Sequence, residues 1–174
     1  GKWGLFIADV SGHGTPAAVL MAVTHSIAHT HDGPPAPPSL LMDFVNRHLA
    51  ARYTNGNGTC VTAFYGIYDP RTRGLTYASA GHCPPRVRRG RDGSVFDPFD
   101  TFGLPLGIEP DEHYTDGHVT FAAGDLLVLY TDGVTESRRP SDADLFGVER
   151  LDALLSQCPR ADAGEALRRC LAAL

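Results

Sequence analysis

Two apolar runs that each end at an aspartate constrain this chain more than any other feature. Leu5-Phe-Ile-Ala-Asp9 runs into the turn Val10-Ser-Gly-His-Gly14, and Thr15-Pro16 then opens a helical pattern. Leu126-Leu-Val-Leu-Tyr-Thr131 ends the same way, at Asp132-Gly133. A short apolar run bounded by turn residues reads as a buried strand, so each strand presents a carboxylate where the chain leaves a sheet. One aspartate before a glycine is an ordinary turn residue. Two of them on rigid elements form the oxygen-donor arrangement that hard divalent cations need, and they point to metal-dependent hydrolysis. The two carboxylates are expected to face a common cleft.

Composition narrows the class. At 174 residues, with 43% hydrophobic and 20% charged residues, a single domain with a substantial core is expected. A net charge of -5 lacks the basic footprint of a nucleic-acid binder. The densest basic segment, Arg86-Val-Arg-Arg-Gly-Arg91, straddles a turn and is expected to be a solvated hairpin tip. Cys60, Cys83, Cys158 and Cys170 show no C-x-x-C spacing and read as reduced, mostly buried thiols of a cytoplasmic protein. No apolar stretch has the length of a membrane span, and no membrane contact is expected. The chain opens on a strand without a signal peptide, as a piece of a longer protein would.

Along the chain, residues 3–9 read as a strand apolar enough to be central, with Trp3 packed among strand neighbours. Gly12 and Gly14 free the turn, Thr15 is placed as the N-cap and Pro16 as the first residue of a helix reaching His29. Gly33-Pro-Pro-Ala-Pro-Pro38 stops it, and Ser39 caps a second helix with Leu40, Leu41, Phe44, Val45 and Leu49 at helical spacing. Three hairpins follow: Val61–Tyr68 with Leu75–Ala80, Arg86–Arg89 with Ser94–Phe96, and Thr115–Phe121 with Asp125–Thr131. Amphipathic helices near 148–156 and 163–173 finish the chain. Strand runs with paired helices give an α+β layered domain of two mostly antiparallel sheets.

Five motifs occur in order: Asp9-Val-Ser-Gly-His-Gly-Thr-Pro-Ala-Ala18, Thr62-Ala-Phe-Tyr-Gly66, Leu75-Thr-Tyr-Ala-Ser-Ala-Gly-His82, Gly103-Leu-Pro-Leu-Gly107 and Gly124-Asp-Leu-Leu-Val-Leu-Tyr-Thr-Asp-Gly-Val-Thr-Glu136. Together they resemble the bacterial branch of the metal-dependent (PPM, protein phosphatase 2C-like) phosphatases, near the stage II sporulation protein E and sigma-factor regulatory enzymes. The resemblance covers nearly all of residues 1–174. It implies an α-β-β-α sandwich flanked by helix pairs, truncated at both ends, with a dinuclear Mn²⁺ or Mg²⁺ centre. It also implies hydrolysis of phosphoserine or phosphothreonine on a partner protein, typically an anti-sigma factor antagonist, under an upstream sensor domain. By position, Asp9 resembles the carboxylate bridging both metals, the Val10 carbonyl a further ligand, and Asp132 a ligand to one metal. The family's aspartates before Asp9 and near the C-terminus have no counterpart here, which leaves a non-catalytic module of the same fold as the alternative. The helix pair at 15–31 and 39–52 resembles a switch coupled to metal binding, beside its plain role as a cover for a sheet.

Other patterns weigh less. Gly12-His-Gly-Thr-Pro-Ala17 satisfies a dinucleotide-binding glycine pattern, with Asp32 twenty residues beyond Gly12, but a second helix follows where that unit needs a strand. His25 and His29 have the spacing of a helical metal pair but lack an obvious third ligand. His82 divides between a residue of the catalytic face and a hydrogen-bonded structural histidine. Glu136 and Ser137 read as helix-start or loop polar residues.

Overall fold

The computed structural model describes residues 1–31, 37–54, 58–138, 144–158 and 162–174. Asp32 and most of the proline-rich run 33–38 lie outside the described residues. The chain divides into two compact units, 1–82 with 100–120 and 83–99 with 121–174.

The first unit is a four-stranded antiparallel sheet carrying two helices. Its strands are β1 (Trp3–Val10), β2 (Val61–Asp69), β3 (Gly74–Ala80) and a strand that joins β3, Gly117–Thr120. The helices are α1 (Thr15–His29) and α2 (Pro38–Leu49), with a five-residue π-helical extension at Ala50–Thr54. Val61, Ala63, Tyr65 and Ile67 alternate along β2 and pack with Leu20, Leu41, Met42, Val45 and Leu49 of the helices. Met42, Val45 and Leu49 are fully buried, each burial contributing about 2 kcal/mol. The even positions of β2, Thr62 and Phe64, therefore lie on the face away from α1 and α2. Asn46 of α2, also fully buried, donates from Nδ2 to the Glu109 carbonyl (2.8 Å) and accepts at Oδ1 from the Gly107 N–H (2.8 Å). Those bonds fix the Gly103–Gly107 motif, while Leu106 ladders with Val61.

Three expectations change here. Among the described residues β1 pairs with β2 alone, in the order β1-β2-β3 and onward. Apolarity signals burial but does not say how many neighbours a strand has. Trp3, expected to pack among strand neighbours, is 67% exposed. Capping also differs: Gly14, at φ 77°, is the N-cap of α1, so Thr15 is its first helical residue. Pro37 precedes α2, and the Ser39 N–H is satisfied by Asp116 Oδ1 at 2.8 Å instead of Ser39 serving as the cap.

The second unit holds β4 (Arg86–Arg88), β5 (Val95–Phe96), β7 (Leu126–Val128), α3 (Asp132–Thr135), α4 (Gly147–Ser156) and α5 (Ala163–Ala173), the strand Gly117–Thr120 of the first unit being β6. Its sheet order is β5-β4-β7. Tyr130, Phe146, Leu151, Leu155, Cys158 and Ala166 form its core. The expected third hairpin does not form: β6 pairs with β3 and β7 with β4. The physical cause lies in the connection. Asp125 binds the N–H groups of Ala122 and Gly90, and a Cβ on Gly90 would sit 2.5 Å from the Gly124 carbonyl, so the turn closes on β4 rather than on β6.

The basic segment is a structural clamp and not a solvated tip. Arg88 is 5% exposed and donates to the Leu155 and Cys158 carbonyls (2.9 and 2.6 Å). Arg86 pairs with Asp152, and Arg89 stacks over Phe96 at 4.3 Å. Arg91 alone of the four is largely exposed. None of the four cysteines is in a disulfide, with Cys158 buried and the others half-buried. No helix among the described residues is long and apolar enough to cross a membrane.

Candidate functional site

The end of β1 is built by its register with β2. Asp9 lies opposite Thr62 and Val10 opposite Val61. Val61 exchanges both backbone hydrogen bonds with Leu106, at 3.0 and 2.8 Å. Val10 and Val61 are thus a non-hydrogen-bonded pair of the ladder, and the alternation turns the Val10 C=O away from β2. The Val10 side chain is buried in the helix-facing core. One residue thereby anchors the strand with its side chain and offers an oxygen with its backbone.

Asp9 occupies the opposite face, with Thr62. Its carboxylate is half-buried and forms no hydrogen bond or ion pair with another described residue. The turn beyond is tied to β2 by the Ser11 N–H to the Cys60 carbonyl and the Cys60 N–H to Ser11 Oγ, both at 2.9 Å. Gly12 and Gly14 take positive φ, at 96° and 77°, a region that side chains resist.

His82 is 6% exposed, and its Nδ1 lies 3.0 Å from Thr62 Oγ1. The sequence singled out His82 but not Thr62, whose place beside Asp9 depends on a register that no local pattern carries. On the same sheet, Phe64 stacks on Tyr77 at 5.5 Å. Burial pushes the Tyr77 phenol up, and its hydroxyl donates to Asp100 Oδ1 at 2.8 Å.

Asp132 belongs to the second unit, as the first residue of α3. It is exposed, and its carboxylate likewise has no partner among the described residues. Its backbone carbonyl accepts from the Glu136 N–H at 2.7 Å and Thr135 Oγ1 at 3.2 Å, which shapes the turn. Glu136 is the C-cap of α3, and Ser137 Oγ donates to the Val134 carbonyl at 2.8 Å, so both serve the turn.

The other candidates do not gather ligands. His29 Nδ1 bonds the His25 carbonyl at 2.8 Å within α1. No group of three or more His, Cys, Asp or Glu with metal-binding geometry occurs among the described residues. α1 is followed by α2, so the glycine pattern at 12–17 has no dinucleotide-binding context.

The stage II sporulation protein E (SpoIIE) family model matches residues 1–174. The chain belongs to the SpoIIE family. This SpoIIE-family chain is 36% identical over 135 residues to phosphoserine phosphatase RsbU of Bacillus subtilis (strain 168), a match covering 76% of this chain and 38% of that protein. It superposes on the SiaA-PP2C domain of Pseudomonas aeruginosa with a TM-score of 0.77 at 18% identity, covering 99% of this chain and 70% of that one. It also superposes on the catalytic domain of the serine threonine protein phosphatase PstP in complex with 2 manganese ions, with a TM-score of 0.66 at 20% identity, covering 98% and 80%. The α+β fold with antiparallel sheets is therefore that of the PP2C phosphatase domains. The chain spans about a third of the length of the curated relatives it matches.

Proposed function

We propose that this chain is a metal-dependent serine/threonine protein phosphatase domain that removes phosphate from a phosphoserine or phosphothreonine of a regulatory partner protein. The end of β1 carries the reading: Asp9 offers a carboxylate with no competing partner among the described residues, and Val10 turns its carbonyl off the ladder. With Asp132 these are all hard oxygen donors, the chemistry that suits Mn²⁺ or Mg²⁺ and not a softer ion. Two such ions would be held by the Asp9 carboxylate, the Val10 carbonyl and Asp132. When bound, such ions lower the pKa of a water and neutralise charge on a phosphoryl group. The chain's own part is to hold three oxygens still. Asp9 and Val10 are fixed by the β2 ladder and the Ser11–Cys60 bonds, and Asp132 by the one-turn helix it opens.

Family membership and the identity with RsbU support a phosphoserine substrate. The resemblance to sigma-factor regulatory phosphatases supports an anti-sigma factor antagonist as the partner, an upstream sensor in the same polypeptide and a cytoplasmic setting. A non-catalytic module of the same fold is the second reading, favoured by the lack of a three-residue ligand cluster among the described residues.

Turnover of a phosphoserine peptide by the full-length protein, with and without Mn²⁺, separates the two. Hydrolysis that requires the metal and collapses in Asp132→Asn is expected. A protein that binds its phosphorylated partner but never turns it over would leave the binding module standing.

A further inference from the structure

We propose that Thr62 and His82 form a strut that positions Asp9 for its cations, an inference that rests on the metal-dependent reading above. The observations come from the first unit alone. Among the described residues the lateral hold on Asp9 comes from β2. Directly opposite it stands Thr62, whose Oγ1 lies 3.5 Å from the Asp9 carbonyl oxygen and 3.0 Å from His82 Nδ1.

A threonine hydroxyl has one proton to give and two lone pairs to accept with. If His82 donates from Nδ1–H to Oγ1, the hydroxyl proton is directed to the Asp9 carbonyl. The 3.5 Å contact is long for a hydrogen bond, so its role is to set the orientation of the Asp9–Val10 peptide rather than to add much stability. That peptide joins the residue carrying the carboxylate to the residue carrying the outward carbonyl. A small rotation there re-aims two of the three proposed oxygens at once.

His82 is itself immobilised from behind. Gly81 takes φ 66° and bridges to Ala63, and a Cβ at Gly81 would meet Pro105 Cγ at 2.8 Å. Pro105 is held in turn by the neighbouring ladder of Leu106 with Val61. A fixed loop thus presses one buried imidazole against one hydroxyl, on the face of the sheet that carries Asp9.

The test is calorimetric titration of Mn²⁺ into the full-length protein without substrate, alongside metal-free melting temperatures. Thr62→Val should weaken Mn²⁺ binding roughly tenfold, within the range seen when residues that orient metal ligands are removed, while the melting temperature shifts by only a few degrees. Thr62→Ser, which keeps the hydroxyl, and His82→Asn, which keeps a donor near Nδ1, should restore most of the affinity. His82→Leu should match Thr62→Val, and the double variant should be no worse than either, as for two members of one unit. Nitrogen-15 NMR of the wild type should place the His82 proton on Nδ1. Wild-type affinity in Thr62→Val, or a proton on Nε2 only, overturns the strut while leaving the metal site intact. Failure of the wild type to bind Mn²⁺ or Mg²⁺ overturns the metal-dependent reading and the strut with it.

Discussion

Two aspartates bracket β7, and they live opposite lives. Asp125, just before the strand, has a side chain only 1% exposed that accepts from the Gly90 and Ala122 N–H groups, both at 2.9 Å, and from Arg89 at 3.0 Å. Burial alone would raise its carboxyl. The two amides and the guanidinium outweigh that and hold it below the usual carboxylate range. Asp132, four residues beyond the end of the strand and first in α3, is exposed and has no partner among the described residues. The first unit repeats the contrast, with Asp116 spent on the Ser39 N–H and Asp9 uncommitted. A carboxylate surrounded by donors is holding the chain in place. One left without donors at a rigid strand end is available to a ligand, and the difference is invisible in residue type.

The largest expected effect tests the uncommitted member. Asp132→Asn should lower metal-dependent turnover at least about a hundredfold, the upper end of what losing even an indirect metal contact costs, with little change in melting temperature. Equal turnover at limiting Mn²⁺ would erase the distinction from Asp125. Asp125→Ala should do the reverse, since it strands two amides and a guanidinium. A stability loss of about 2 kcal/mol is expected, read by urea denaturation, with turnover per folded molecule largely kept.

Acid sharpens the same contrast. Because the folded-state pKa of Asp125 is lowered, its contribution is fully present above the unfolded carboxylate value, about pH 4, and is lost as pH falls through the folded value. The wild type should therefore lose stability below about pH 5 more steeply than Asp125→Ala, as melting temperatures across that range would record. Asp92 titrates in the same window, at about 2 because Ser94 and Arg91 bind it. The smallest effect falls on Asp116→Ala, which removes a borrowed helix cap and should cost about 1 kcal/mol without altering turnover. A change in turnover there would mean that the start of α2 is not merely structural.

Much of this molecule was legible in its sequence, and what was not has identifiable causes. Asp9 near the end of β1, the β2–β3 and β4–β5 hairpins and all four long helices follow from periodicity and turn residues, whereas the strand expected to run into Asp132 stops at Val128. Periodicity could not say how many strands flank β1, because an apolar run looks alike with one neighbour or two. It could not separate β6 from β7, because the decision rests on Asp125 and on a contact between Gly90 and Gly124, 34 residues apart in sequence. The arginines of β4 looked solvated because the carbonyls that bind Arg88 come from Leu155 and Cys158. Thr62 was missed for the same kind of reason: its importance comes from what stands across the ladder.

The crossing of strands between sheets also shapes how the chain reaches this state. Along the polypeptide the sheets interleave, with β4 and β5 of one lying between β3 and β6 of the other. Gly74 pairs with Thr120, and Arg86 pairs with Val128. The first sheet cannot close until residues 117–120 have left the ribosome, nor the second until residues 126–128 have, and until then β3 and β4 each keep an unpaired edge. Closures of this span are entropically expensive and slow, and an apolar open edge is where nascent chains stick to one another. The same interleaving means that no single cut of the chain releases an intact unit.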